Sequence, residues 1–467
     1  VNEKPLVLLP EVLLLVGAVA TLLCGSSLSR TRQGIAALIA AVALAGSMIA
    51  AVAGRADQTV YHHSYAIDTA TTTARVVIPA AALLIIALST GRIRGDRRQT
   101  EFYVLVLLAA LGAVLLAGAS DLLVLAVAYL LATIPLYGLA GWGRDAPGAE
   151  AALKLYLLGA LVGVVLLTGV ALLYAAGGTT RYDQLTGTLP NAAPGLVAAG
   201  TVAVLAGLLF KAGAVPVHFW VPDAVHGSTI GAATVLTTIP KIGALIAAFR
   251  LLVAIPTDTG WPTFTAVVAA VTMTLGNLAA FGQTSVRRLL AYSTISQVGY
   301  LLMAVAVATT SGRALPALLL YLAGYAVTNT GAFAVVAALP DRGALDDYRA
   351  VARRHPWLAA ALVICLLGLV GTPPTAVFAG KLTVFTATWD GGHAWLVVIA
   401  AANTIASLFY YLRWLRPTFT GRPGAFPSER ERDRPAATIA VLAAAATLAF
   451  GVAAGVVYDV VSGVLLR

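Results

Sequence analysis

The sequence predicts an all-α polytopic membrane protein of about fourteen transmembrane helices, with two inverted five-helix repeats and discontinuous helices seven and twelve. Three observations predict it. Of the 467 residues, 60% are hydrophobic and only 11% are charged, whereas a soluble domain carries roughly 25% charged residues. Apolar runs of about 20 residues, enough to cross a bilayer, recur from end to end and leave no stretch for a sizeable soluble domain. The cations are also partitioned. Of five lysines, Lys4 is terminal and Lys154, Lys211, Lys241 and Lys381 all fall in apolar spans, while the 25 arginines sit almost entirely in loops or at span ends.

Spans are expected near residues 6–26, 34–54, 73–91, 102–118, 120–141, 150–175, 196–225, 229–254, 263–282, 289–310, 314–339, 356–388, 393–415 and 436–461. The opening VNEKPLVLLPEVLLLVGAVATLLCG has one lysine beside Glu3 and carries Pro10-Glu11 inside its apolar run. That is poor signal-peptide chemistry, and it reads as an uncleaved first span. The loop after span three holds Arg92, Arg94, Arg97 and Arg98, and the one after span nine holds Arg287 and Arg288. The loop after span eleven holds Arg342, Arg349, Arg353 and Arg354, and the stretch after span thirteen holds Arg416, Arg422, Arg430, Arg432 and Arg434. Loops on the other side carry chiefly Arg55, Arg181 and Arg313. By the positive-inside rule both termini face away from the cytoplasm. The rule also accounts for the net charge of +10 without nucleic acid as a partner. No strands are expected, so no glycine-rich nucleotide fingerprint can follow one, and TGRPGA around Gly421 reads as a plain loop. Cys24 and Cys365, alone in distant spans, argue against a disulfide framework or cysteine-ligated clusters.

Spans four to eight and nine to thirteen read as two copies of one unit, because the fourth helix of each breaks near proline beside a lysine. In the first, Lys211 precedes Gly213 and Pro216; in the second, Gly371, Pro373 and Pro374 precede Lys381. Interrupted spans at corresponding places point to an ion site at mid-membrane depth. Five spans is an odd number, so consecutive units enter from opposite sides. The expected organisation is a single membrane domain: three helices over 1–100, one repeat over 101–254, its inverted copy over 262–415, and a last helix over 436–461.

Arginine stays charged in any protein setting, whereas burial brings a lysine's pKa down from about 10.4 towards neutrality. Lysines in spans are therefore candidates to take and release protons. Lys241 lies about twelve residues into its span, roughly 18 Å, too deep to snorkel easily. Lys211 and Lys381 sit beside the breaks, where freed carbonyls can solvate an ammonium. Lys154, four residues after Glu150, reads either as a snorkelling anchor or as a relay. His218 and His226 are expected to flank the turn between spans seven and eight, either passing protons on or bonding loose backbone. No histidine has metal-ligand spacing. Asp223 is expected to cap a helix end. Ser293, Thr294, Ser296 and Gln297 either line water or bond neighbouring helices.

At these residues the chain resembles the antiporter-like membrane subunits of proton-pumping NADH-quinone oxidoreductase (respiratory complex I), subunit N above all. The resemblance covers nearly the whole chain. It rests on EFYVLVLLAALGAVLLA from Glu101, EAALKLYLLGA from Glu150, FKAGAVPVHFWVPDAVHG from Phe210 and PKIGALIAAFRL from Pro240. It continues in RRLLAYSTISQVGYLL from Arg287, YLAGYAVTNTGAF from Tyr321, GTPPTAVFAGK from Gly371 and YYLR from Tyr410. It implies a hydrated polar axis on which Lys211, Lys241 and Lys381 transfer protons, as part of a translocase in a bacterial plasma membrane. It implies no redox chemistry and no cofactor in this chain: NADH, FMN, iron–sulfur clusters and quinone belong to partner subunits. The expected partners are other complex I membrane subunits, antiporter-like paralogues included, and membrane lipid. One departure matters. The family usually has a glutamate on helix five paired with the helix-seven lysine, and the matching position here is Leu130. Asp121 lies about 13 Å away along the helix, too far to replace it, and Tyr129 or Thr133 can supply only a hydroxyl. The alternatives are a subunit of a multisubunit cation/proton antiporter or membrane-bound hydrogenase, or a pump-inactive structural subunit.

Overall fold

The structure is a computed structural model and describes residues 5–29, 32–421 and 433–466. Lys4, Arg422, Arg430 and Arg432 lie outside the described residues. Helices α1 (Leu9–Ser27) and α2 (Gly34–Ala53) are followed by strands β1 (Gln58–Val60) and β2 (Tyr65–Ile67), then by α3 (Thr69–Ile93). The first five-span unit holds α4 (Gln99–Gly118), α5 (Leu122–Leu131), α6 (Ile134–Ala140), α7 (Ala146–Gly177), the short α8 (Tyr182–Thr188), α9 (Pro194–Ala212), α10 (Trp220–Gly227) and α11 (Ile230–Ala254). The second holds α12 (Trp261–Phe281), α13 (Val286–Ala306), α14 (Ala314–Ala338), α15 (Val351–Arg354), α16 (Pro356–Val370), α17 (Ala376–Asp390) and α18 (Ala394–Phe419). Helices α19 (Arg434–Val452) and α20 (Ala454–Val461) follow. Thirteen helical stretches are long and apolar enough to cross a membrane, and α16 with α17 makes the fourteenth.

Spans seven and twelve break as expected, and by the same device. The amides of Gly213 and Ala214 both return to Leu209 O, and those of Gly371 and Thr372 both return to Leu367 O. Gly213 has φ +83° and Gly371 φ +93°, the left-handed region that glycine enters without a Cβ penalty. Each turn leaves the last carbonyl of its half-helix, Ala212 O or Val370 O, open to another donor.

Four expectations are corrected. Span five is not continuous: α5 ends at Leu131 and α6 begins at Ile134, because Pro135 has no N–H to return to Leu131 and its ring crowds that carbonyl. Strands do occur, as the antiparallel pair β1–β2; three residues each are too few to show an alternating pattern. The last span stops at Val452, with α20 as a separate turn of helix. Two arginines are buried inside helices rather than placed in loops. Arg75 pairs with Glu11 at 2.7 Å, and Arg250 donates to both oxygens of Asp68 at 2.8 and 2.9 Å. Burial alone would lift the Asp68 carboxyl, but the Arg250 guanidinium and the Thr71 and Leu466 amides hold it below its ordinary value.

The centre of the molecule is α11, buried along its whole apolar window, with α13 and α14 at 94%. The outer helices α1, α2, α18 and α19 bury only 33% and offer the rest to lipid or neighbouring proteins. Lys241 therefore sits on the most enclosed helix of the fold.

Candidate functional site

Lys211 is the penultimate residue of α9 and is buried. Its ammonium donates to Thr133 Oγ1 in the gap between α5 and α6, and lies 4.6 Å from the ring centroid of Tyr129. The Thr133 hydroxyl donates onward to Tyr129 O at 2.5 Å. The break in span five thus positions the acceptor for this lysine. Leu130, the next residue after Tyr129, is 43% exposed on the outside of the bundle. Asp121 caps α5, accepting from the amides of Leu123 and Val124, and takes the Thr180 hydroxyl.

Lys241 is fully buried and donates to Ala212 O, the carbonyl freed at the end of α9. A Cβ on Gly213 would stand 3.2 Å from Lys241 Nζ and 2.8 Å from Val221 Cγ2, so only glycine fits between the lysine and α10. Thr234, Thr237 and Thr238 precede Lys241 on the same face of α11, at the three- and four-residue spacing of a helix. Asn329 Nδ2 donates to Thr237 Oγ1 and Thr238 Oγ1 at 3.1 and 3.0 Å. The Tyr325 hydroxyl donates to Thr237 O at 2.8 Å and meets Thr294 Oγ1 at 3.1 Å. One turn along α13 from Thr294, Gln297 accepts from the Tyr321 hydroxyl at 2.5 Å and donates to Leu369 O at 2.8 Å. That reaches the break in span twelve. There Lys381 donates to Val370 O at 2.8 Å and to Thr404 Oγ1 at 3.4 Å, with its Nζ 3.9 Å from the Tyr300 ring centroid.

The two units therefore share a motif. A half-helix ends at a left-handed glycine, and its last carbonyl receives a buried lysine. In the first unit the lysine comes from α11, in the second from α17. Among the described residues no ion pair joins Lys211, Lys241 or Lys381 to a carboxylate. Among the described residues the protein offers no hydrogen-bond partner to Tyr129 Oη, Asn329 Oδ1 or Thr330 Oγ1, all buried beside this line. Buried polar atoms are normally bonded to protein or to water. An amine donates when protonated and accepts when neutral, and a hydroxyl does both. A line of such groups can hand a proton along.

The remaining candidates lie off this line. Lys154 has a 44% exposed side chain and pairs with Glu150 at 2.6 Å and Asp223 at 2.8 Å. Asp223 is not the cap the sequence suggested. It lies in the first turn of α10, but its carboxylate joins Lys154 of α7 to Arg288 of α13, the latter at 3.1 Å. His218, expected to flank the turn between spans seven and eight, lies in the gap between α9 and α10, a short helix away from that turn, because α10 is the second half of span seven. It is buried. His226 ends α10, is exposed, and has Nδ1 3.4 Å from Ser285 Oγ. With Arg92, Asp96, Arg98, Asp145 and Arg287 it lines a cavity of about 540 Å³ that reaches Ile230 and Gly231, one turn from Thr234. The threonine stripe and Asn329 went unread in the sequence. The spacing of Thr234, Thr237, Thr238 and Lys241 could have found the stripe, but nothing local marks Asn329.

The family model described as NADH:quinone oxidoreductase/Mrp antiporter, TM matches residues 119–407, an interval that contains all four span lysines. NADH-quinone oxidoreductase subunit N of Mycobacterium sp. (strain JLS) is 51% identical over 465 residues, covering 98% of each chain. A chain in the structure of respiratory complex I from Thermus thermophilus with bound Aureothin superposes with a TM-score of 0.84 at 33% identity, covering 97% of this chain and all of that one. A chain of the Mrp complex from Dietzia sp. DQ12-45-1b superposes at 0.86 with 23% identity, covering 98% and 96%, a likeness of fold alone.

Proposed function

This chain belongs to the subunit N family of NADH-quinone oxidoreductase, and from that membership we propose that it carries protons across the membrane along Lys211, Lys241 and Lys381. Quinone reduction in other subunits of the complex drives the transfer. NADH, FMN, iron–sulfur clusters and quinone are held by those partners, and neighbouring membrane subunits, antiporter-like paralogues included, extend the axis. The membrane is a bacterial plasma membrane, with both termini on the non-cytoplasmic side by the distribution of loop arginines.

One observation carries the reading. Three buried lysines, none paired with a carboxylate among the described residues, each donate to a neutral oxygen at a helix break, and bonded hydroxyls and amides lie between them from α5 to α18. Intramembrane ionisable groups are expensive and serve function by default. The cavity beside His226 and Arg287 supplies an entrance to the threonine stripe of α11. His226 and His218 are the groups that pass protons between that entrance and the break in span seven. Lys154, tied to Glu150 and Asp223, holds the entrance side together.

Leu130 favours a second reading, in which the Lys211 step is lost and this subunit is a relay or scaffold. The two separate on the proton-to-electron ratio of the reconstituted complex, before and after Leu130→Glu. A full ratio that the substitution leaves unchanged supports a working path without that carboxylate. A ratio one proton low that recovers supports the lost step. Membership of a cation/proton antiporter instead of an oxidoreductase predicts purification without NADH-oxidising subunits.

A further inference from the structure

A second feature of the molecule lies away from the lysine line, at the last turns of α18. A polar pocket of about 470 Å³ is lined by Thr284, Asp346, Arg349, Arg413, Arg416 and Thr420. Directly beside it runs a groove of about 580 Å³ whose apolar wall includes Val363, Phe409, Leu412 and Phe419. Arg413 and Arg416 line both hollows, forming the wall between them. We propose that this pair of hollows binds an anionic phospholipid, with its phosphate among Arg349, Arg413 and Arg416 and an acyl chain along Phe409 and Leu412.

The chemistry of the two hollows matches the two ends of that one ligand. Three guanidiniums face a single carboxylate in the polar pocket, Asp346, which pairs with Arg349 at 3.0 Å. A net positive pocket of planar donors suits a phosphate, which guanidinium binds through paired hydrogen bonds. Arg413 is fixed by donating one Nη1–H to Phe281 O and one Nη2–H to Gln283 O, which leaves three of its five N–H donors for a ligand. The Arg416 guanidinium makes no hydrogen bond or ion pair with any described residue, although the Arg416 carbonyl accepts from Thr420 Oγ1 at 2.9 Å, so its donors are open to a ligand. Phe409, Leu412, Arg416 and Phe419 recur every three or four residues, which puts them on one face of α18. Phe409, Leu412 and Phe419 are 58%, 43% and 54% exposed. That face runs from the hydrocarbon region to the arginine-rich side, the leaflet where anionic lipids attract basic residues. A zwitterionic headgroup brings its own cation beside the guanidiniums and adds no net negative charge to the pocket. The inference does not depend on the proton reading.

The test is lipid retention by the intact complex, stripped in detergent and then incubated with phosphatidylglycerol, phosphatidylcholine or inorganic phosphate, and weighed by native mass spectrometry. Wild type should retain phosphatidylglycerol in preference to phosphatidylcholine. Arg416→Gln, which breaks no side-chain hydrogen bond or ion pair with a described residue, should weaken that retention about tenfold, the scale of one lost charge-assisted hydrogen bond. Leu412→Gln, altering only the groove, should weaken phosphatidylglycerol retention and leave any phosphate binding unchanged. A photo-crosslinker at Phe409 should yield a lipid adduct. Equal retention of both lipids, unchanged retention in Arg416→Gln, binding of phosphate alone, or an adduct with a partner subunit's helix would each overturn the proposal.

Discussion

At Thr133 a single hydroxyl stands between Lys211 and the backbone of the broken fifth span, accepting from the ammonium and donating to Tyr129 O. Removing it leaves the buried Lys211 amine with one partner fewer, a loss of about 0.5–1.5 kcal/mol when the amine is neutral and about 1.5–3 kcal/mol when it is protonated. Thr133→Val is therefore expected to slow proton translocation by about tenfold or more with the subunit still assembled, and Thr133→Ser to restore it. Acidification of vesicles per electron transferred, beside a gel of the assembled complex, checks both. The residue scale was the most legible in the sequence. Four lysines among apolar residues announce themselves, but Tyr129 and Thr133 read only as hydroxyls too weak to replace a carboxylate at Leu130, and that Thr133 is the acceptor for Lys211 was not legible. What could not be read was partnership across distant chain segments. Asp223 follows Pro222 and looks like a cap, yet its bonds go to residues 69 and 65 positions away. No local pattern encodes that.

The broken spans work as elements because each turn of broken backbone presents one open carbonyl to one lysine. Gly213→Ala tests this at the first unit. The left-handed backbone alone costs a Cβ-bearing residue about 1–2 kcal/mol, and here the added carbon also closes on Lys241 Nζ at 3.2 Å. Gly260→Ala is the control: φ is +76° and nothing lies within 4 Å of the new Cβ. Both variants are expected to lower the melting temperature, Gly213→Ala by more because its Cβ also meets Val221 Cγ2 at 2.8 Å, whereas only Gly213→Ala lowers proton translocation at an unchanged NADH oxidation rate. Breaks seven and twelve were legible because glycine and proline cluster there. The break in span five has only Pro135 to announce it, inside a run apolar enough to read as one helix. The hairpin β1–β2 was too short for its alternation to register, and the end of α19 carries no cap residue that sequence reading could use.

Across the whole molecule, the two five-span units share a backbone device but distribute their cations differently. The residue two before the break glycine is Lys211 in the first unit and Leu369 in the second, and the second unit's lysine lies after the break instead. The enclosed helices α11, α13 and α14 join these unequal ends into one polar line, with Lys241 in its middle. If that line conducts, interrupting its middle must stop transfer without disturbing the electron path in the partner subunits. Lys241→Met keeps the length of the side chain and removes its proton. The most direct measurement is the proton-to-electron ratio of the intact complex carrying Lys241→Met, reconstituted in sealed vesicles. The account predicts a ratio at least one proton lower than wild type, with NADH:quinone electron transfer retained. An unchanged ratio from a fully assembled complex would contradict it.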